Sequence, residues 1–399
     1  LNLPFFIAKR YLISKKSHNA INIISGISIT GICIGTLALV IVLSTFNGLT
    51  NLVQSFYNSF DPDLEITIKQ GKTFDPNSIA FQSLKKIEGI AYFTEIVEGN
   101  ALLKYEDKQC IATIKGVSSD FRKMSRIDTL VSEGDFNISK NNIVIGKGIS
   151  TILQTRPNDL STLISIYAPK RGKTSSLNPE DGLNELKAYP AGTFFVNLDE
   201  FDYTYTIMSI EKARELLDYT NEVTSVELGI KKGSDEGKIV KEIALLLGDN
   251  FEIKNRAQQN ASLYKTMRSE KLWTFIILIF ILIIATFNVI GSLTMLILEK
   301  KKDITILHHM GADIHLIRKI FLMEGMLITI IGAFLGLLSG SILCWIQQHY
   351  EIIKMSESLA YPIKFQTSDI LLILITVLSI GFVAAWYPVK IFTKKHLAL

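Results

Sequence analysis

The sequence predicts an α-helical membrane protein with four transmembrane helices and an α+β domain inserted between the first and second helices. Three observations carry that fold class. Of the 399 residues, 48% are hydrophobic and only 20% charged, which is too apolar on average for an ordinary soluble enzyme. Four windows, 17–60, 272–298, 325–350 and 370–389, lack Asp, Glu, Lys and Arg, and each reaches the roughly 20 residues that carry a helix across a bilayer. Between the first two windows lie about 210 residues of mixed polarity, enough to bury a core of their own.

The first window is longer than one crossing. Its apolar centre, 21–46, is the expected span, and its polar tail NGLTNLVQSFYNSF is expected to continue the helix. Lys9, Arg10, Lys15 and Lys16 precede it as the basic region of a signal peptide would, but the run is too long for such a peptide and no small-x-small site ends it. An uncleaved anchor is expected. Basic residues next to the spans set the direction. The segments before the first span, between the second and third, and after the fourth hold twelve Lys or Arg against Glu299, Asp303 and Asp313. The segment 61–270 holds 27 basic and 31 acidic residues, and the loop 351–369 also leans acidic. Both termini are therefore expected in the cytoplasm and the large domain outside.

Within that domain LEITI (64–68) reads as a strand, and Asp75-Pro76 reads as the N-cap and first residue of a helix running to about Ile87. AYFTEIV, ALLKYEDKQCIATIKGV, NIVIG, STLISIYA, GTFFVNL and VTSVELGI read as further strands, while SIEKARELLDY and SDEGKIVKEIALLLG have helical periodicity. Residues 169–190, rich in Gly, Pro, Ser and charge, form an expected exposed loop or hairpin. After FEIKN, the stretch RAQQNASLYKTMRSEKLWTF reads as helix without a break, so the second span begins before the membrane. The organisation expected is 1–60 (N-terminus, first span and stalk), 61–256 (external domain) and 257–399 (stalk and spans two to four), with a short helix at 299–311.

That short segment, EKKKDITILHHMGA, breaks the apolar runs. On a helix, Ile304, Leu307 and His308 share one side with Gly311, Ile306 and Met310 share the adjoining side, and charge gathers from Glu299 to Asp303. Gly311 can end the helix and Asp313 can cap the next one. Such a helix either lies on anionic lipid or seats in a groove of a partner protein.

Here EKKKDITILHHMGADIHLIRKIFLMEG resembles the cytoplasmic loop of FtsX/MacB-type ABC permeases, of the form EKxxDIAILRxMGA, with His308 where that pattern has Arg. The N-terminal FFIAKRYLISKK and ISGISITGICIGTLALVIVLSTFNGL are similar to the start of the lipoprotein-releasing permeases, the LolC/LolE family. The resemblance covers the whole chain. It implies a type VII, mechanotransmission ABC transporter permease of the bacterial inner membrane, whose periplasmic domain is a MacB-like porter unit with an inserted β-rich unit. It also implies coupling to an ATPase dimer through Glu299, Lys300, Asp303, Ile304, Ile306, Leu307, Met310 and Gly311. By the same resemblance Ile34, Leu37, Val40, Ile41, Ser44, Phe46, Asn47 and Leu49 of the first span line a cavity for the acyl chains of a lipoprotein. The loop with Lys170, Arg171, Pro179 and Leu183 would meet a periplasmic carrier, and a second copy or a related permease would complete the dimer.

The chain itself presents no catalytic apparatus. There is no GxxxxGK[ST], HExxH or GxSxG, so it is not expected to be an enzyme, and ATP with Mg is expected to be used by a partner chain. Cys33, Cys110 and Cys344 lie far apart, and His308, His309 and His315 lack ligand spacing, so neither a disulfide nor a metal site is expected. Membrane lipid is an expected partner from the apolar composition, and the formal charge of +4, small for this length, argues for no nucleic-acid partner. Gly332, Gly336 and Gly340 would pack helices within the chain. Gly31-x-x-x-Gly35, by the resemblance, would face the other permease. Glu324 is expected at the interface, paired with Arg318 or Lys319. Two alternatives remain: a MacB-type efflux permease, normally fused to an ATPase domain for which this chain is expected to have no room, and an FtsX-type signalling permease controlling a cell-wall hydrolase.

Overall fold

The computed structural model describes residues 3–12, 19–125, 127–157, 163–172, 182–356 and 359–397. In chain order the helices are α1 (Leu3–Leu12), α2 (Asn19–Phe60), α3 (Ile79–Leu84), α4 (Phe121–Ser125), α5 (Lys147–Leu153), α6 (Asp199–Asp202), α7 (Ile210–Leu217), α8 (Glu236–Leu247), α9 (Arg256–Gln259), α10 (Ala261–Glu299), α11 (Lys301–His309), α12 (Ile314–Tyr350) and α13 (Thr367–Leu397). The main strands are β1 (Leu64–Ile68), β2 (Ile90–Tyr105), β3 (Lys108–Val117), β4 (Val131–Gly134), β5 (Asn142–Gly146), β6 (Ile164–Pro169), β7 (Leu183–Phe194), β8 (Tyr205–Ser209), β9 (Ser225–Ile230) and β10 (Phe251–Asn255). They divide into one unit of residues 1–52 and 265–399 and another of residues 53–264.

In the first unit α2, α10, α12 and α13 are each long and apolar enough to cross a membrane. The α2 helix runs unbroken for 42 residues, about twice what a crossing needs, so the polar tail of the first window is helical as its composition suggested. The α2–α12 contact is a seam of small residues. A Cβ placed on Gly336 would lie 2.5 Å from the Cys33 carbonyl oxygen, and one on Gly340 would lie 2.9 Å from the Val40 Cβ. Without much of a hydrophobic drive inside lipid, such close backbone approach is what holds spans together. Gly35 meets Leu282 of α10, 2.8 Å from its added Cβ. Of Gly31-x-x-x-Gly35, Gly35 is buried against α10 of the same chain, while Gly31 is half-buried beside Ala285 and Asn288. Hydroxyls bond to main chain, Thr36 to Ile32 O (2.8 Å) and Ser28 to Asn288 O (3.0 Å), which satisfies both inside the apolar seam.

The second unit is α+β. Its strand order is β10-β1-β9-β2-β3-β8-β5-β7-β4, and β6 joins β7 back to β2. The pairings β2-β3-β8-β5-β7-β6-β2 thus close into a ring, and β9, β1 and β10 extend from β2 as an open sheet. Only β3–β8 and β5–β7 run parallel in this sheet. Buried Ile and Leu from alternate strand positions, among them Leu64, Ile66, Leu103, Ile114 and Leu228, fill one core with residues of α7 and α8. A second core gathers Tyr57, Phe60, Phe121, Phe194 and Phe201.

Several local expectations change. Asp75 caps a turn, accepting from the Asn77 N–H at 2.9 Å, and α3 starts only after Ser78; just before the turn, Phe74 pairs with Val223 across an isolated bridge. The helix after FEIKN is interrupted at Asn260, where α9 ends after an Asn255–Gln258 capping box. The strand read at GTFFVNL begins earlier, at Leu183, and ends at Phe194; the Phe195 N–H then donates to the Leu130 carbonyl, and Asp202 captures the N–H groups of Val196, Asn197 and Leu198.

Candidate functional site

The loop between α10 and α12 is built as its sequence implies. Gly311 adopts φ +93°, which only glycine accepts easily, so α11 stops there. The Asp313 carboxylate accepts from the Ile314 N–H at 2.6 Å and starts α12. His308 Nδ1 lies 3.2 Å from the Ala312 carbonyl, which closes the turn rather than forming a ligand set. Among the described residues no group of His, Cys, Asp and Glu is placed to hold a metal.

The apolar residues of α11 divide between two directions. Ile304 is buried with Leu296, Ile297, Ile317, Phe321 and Val389, so it anchors α11 to the spans. Leu307 is half-buried. Ile306 and Met310, one turn apart, are 56% and 71% exposed and form the outward apolar pair. Of the residues expected to meet a partner, Ile304 is therefore corrected to an internal anchor. Lys300 bonds Asp303 at 3.5 Å and stands 5.2 Å from the Tyr11 ring of α1. Burial, with the carboxylates of Asp303 and Glu324 nearby, pushes the Tyr11 hydroxyl up to about 12. Glu299 closes α10. The base of α11 is thereby fixed to α1 by a residue, Tyr11, that sequence reasoning passed over.

Glu324 differs from expectation. It is fully buried, and neither carboxylate oxygen accepts a hydrogen bond among the described residues. Its place about three turns inside α12, beside the Gly325–Ala385 contact, removes it from the interface where Arg318 or Lys319 would have met it.

The α2 residues expected to line one cavity point in several directions, because a helix that is apolar all round hides its facing. Ile34 is 60% exposed and lines a groove of about 490 Å³ with Ile23, Gly26, Ile27, Thr30, Gly31 and Asn288. Val40 and Ser44 are buried against α12, which corrects their reading as cavity wall. Ile41 faces a second, apolar cavity of about 270 Å³ bounded by α12 and the loop before α13. Leu37, Phe46 and Leu49 are half-buried. The Asn47 amide is engaged by Asp369 and Lys271. Ile23, Ile27, Thr30 and Asn288 also line the groove around Ile34 and were missed; the sequence signal is the i, i+4 and i+7 repeat of Ile23, Ile27 and Thr30, and Asn288 on α10 carries none.

In the second unit, β6 and β7 are the arms of a hairpin, with Ile164 opposite Ala188 and Pro169 opposite Leu183. Lys170 and Arg171 leave the first arm. Arg171 bonds Glu222 at 2.8 Å and stacks 4.9 Å from the Tyr219 ring, while Leu183 starts the second arm. Together with the Thr220 N–H, Arg171 holds Glu222 down, to about 2. Pro179 lies outside the described residues. Deeper in the same unit, Lys115 is buried with its Nζ 2.6 Å from Glu227 and 3.2 Å from Glu98. Burial opposes its charge, yet the two carboxylates raise it well above the ordinary lysine value. Burial drives Glu227 up to about 7 against the pull of Lys115.

Two family descriptions match the chain: FtsX-like permease C-terminal over residues 275–397, and MacB-like periplasmic core domain over residues 25–164. The lipoprotein-releasing system transmembrane protein LolE of Haemophilus influenzae is 26% identical, covering 97% of this chain and 96% of its own. LolC of Neisseria meningitidis is also 26% identical, with the same coverage of both chains. Among solved structures, the periplasmic region of MacB from Actinobacillus actinomycetemcomitans aligns with 52% of this chain and 94% of its own, at 11% identity and a TM-score of 0.36.

Proposed function

The chain belongs to the LolC/LolE family of lipoprotein-releasing permeases within the FtsX/MacB-like superfamily, and from that premise we propose that it is the membrane subunit of an ABC transporter that extracts lipoproteins and passes them to a periplasmic carrier. The similarity to lipoprotein-releasing proteins along 97% of the chain carries this reading. The efflux and signalling alternatives share only the broader superfamily descriptions.

In this reading the chain sits in the inner membrane with both termini in the cytoplasm, and residues 61–256 form the periplasmic domain between 1–60 and 257–399. ATP and Mg are handled by a separate ATPase dimer. Ile306 and Met310 enter a groove of that ATPase, and Lys300, Asp303 and Tyr11 hold the base of the helix so that it moves with the spans. A second permease, identical or related, faces the groove around Ile34, and the lipoprotein's acyl chains occupy the space between them. Each acyl CH₂ held there is stabilised by on the order of 0.8 kcal/mol, which explains why release needs coupled work. Lys170, Arg171 and Leu183, at the ends of the β6 and β7 arms, belong to the part that meets the carrier.

Cells depleted of the protein should retain a radiolabelled triacylated lipoprotein in the inner membrane of spheroplasts, and the wild-type chain should restore its release to added carrier. Normal release after depletion would reject lipoprotein extraction. Drug sensitivity or a cell-division defect would then direct attention to the efflux or signalling alternative.

A further inference from the structure

At the end of the membrane unit opposite α11, three spans are tied together by side chains far apart in sequence. Lys271 of α10 donates to Asp369 of α13 at 2.9 and 3.2 Å and to the Asn47 Oδ1 of α2 at 2.8 Å. The Asn47 amide N–H donates to Asp369 at 2.7 Å. Each member bonds the other two, and each comes from a different spanning helix. The ion pair is largely withdrawn from solvent, with 32% of the Lys271 side chain and 13% of the Asp369 side chain exposed. By contrast, Lys300–Asp303 links positions three residues apart in one loop.

The backbone around this triad is equally constrained. The Lys364 N–H donates to the Ser44 carbonyl at 3.0 Å, and its ammonium reaches Asn51 at 2.7 Å. A Cβ on Gly48 would stand 2.1 Å from the Pro362 carbonyl oxygen, so the loop before α13 lies directly on α2. Asp369 also occupies the first turn of α13, where the helix dipole favours an anion. Beyond Asn47 the α2 helix runs on to Phe60, and α10 begins at Ala261, before Lys271. Any displacement carried along α10 or α2 past the end of the apolar segment must pass the triad.

We infer that Asn47, Lys271 and Asp369 act as a positioning latch that makes α2, α10 and α13 move as one body at this end. A shift that starts at α11 then reaches α2 as displacement instead of being lost as slippage between helices that pack mainly through apolar side chains. The inference rests on the transport reading for its physiological consequence and on the geometry alone for its mechanical one, so the test has two arms.

In proteoliposomes containing the assembled transporter, Lys271→Met and Asp369→Asn should hydrolyse ATP at the wild-type rate while lipoprotein release per ATP falls by roughly two- to thirtyfold, the range of coupling losses along such networks. The charge swap Lys271→Asp with Asp369→Lys should recover most of the loss. Unchanged release per ATP, or no recovery in a swap that assembles normally, overturns the latch. The second arm needs no transport. With the native cysteines replaced by serine, spin labels at Glu270→Cys and Ser368→Cys report the α10–α13 separation. A narrow distance distribution that broadens on adding Lys271→Met supports the latch even if the wild-type protein moves no lipoprotein. Equal widths reject it, whatever the transport result.

Discussion

The two units handle a buried ionisable group in opposite ways. In residues 53–264 Lys115 is surrounded by Glu227 and Glu98, with the Phe60 and Phe121 rings 5.0 and 5.7 Å from its ammonium. In the membrane unit Glu324 is just as deeply buried, and neither oxygen has a hydrogen-bond partner among the described residues. The first arrangement is local structure: three strands, β2, β3 and β9, bring the charges together by register, with Glu98 opposite Lys115. The second lies in a stretch of the bundle where the helices approach closely along a seam of small residues, and the Asn47–Lys271–Asp369 pairing belongs to the end opposite α11. Around these two buried groups, packing depends on pairing in one unit and on close approach in the other, and each can be attacked separately.

The largest effect is expected from Lys115→Met, which leaves two carboxylates facing each other without their cation. It should destabilise the second unit by about 3–5 kcal/mol, read as lost amide-exchange protection in β2, β3 and β9 of the full-length protein. Next is Gly336→Leu, which forces α2 from α12 and should cost about 3 kcal/mol in thermal unfolding in detergent while leaving those strands protected. If it disturbed the strands first, the division into two separately stabilised units would be wrong. Glu324→Met should do the reverse and stabilise the membrane unit by about 2 kcal/mol, because it removes a buried polar group that lacks a partner. A less stable variant would contradict this reading of Glu324.

A further effect concerns pH. Folding raises Glu227 from 4.5 to about 7, so between these values the folded unit binds more protons than the unfolded chain. Stability of the second unit should therefore fall as pH rises from about 4.5 to 7 and level off above it, and Glu227→Gln should flatten that slope. A wild-type slope of opposite sign would mean that Lys115 dominates the pair.

Most of the secondary structure was legible because each element obeys one period. LEITI, NIVIG and FEIKN alternate or run apolar, and the four spans are continuous apolar windows. β4 was not legible: VSEG is mostly exposed and gains its place only from pairing with β7. Facing was harder than existence. Along α2 nearly every residue is apolar, so nothing in the sequence separates Ile34, which is open, from Val40 and Ser44, which are buried. The same ambiguity placed Ile304 among the outward residues of α11. The latch was beyond reach for another reason: Asn47 is 224 residues from Lys271 and 322 from Asp369, and no local pattern connects them.

The central claim is that α11 transmits work through Ile306 and Met310 while Ile304 anchors it. The most direct measurement is co-purification of the ATPase with Ile306→Asp/Met310→Asp, alongside thermal unfolding of the permease alone. ATPase capture should be lost while unfolding stays at the wild-type temperature. Full capture by that variant, or capture lost only because the permease itself unfolds, would contradict the account.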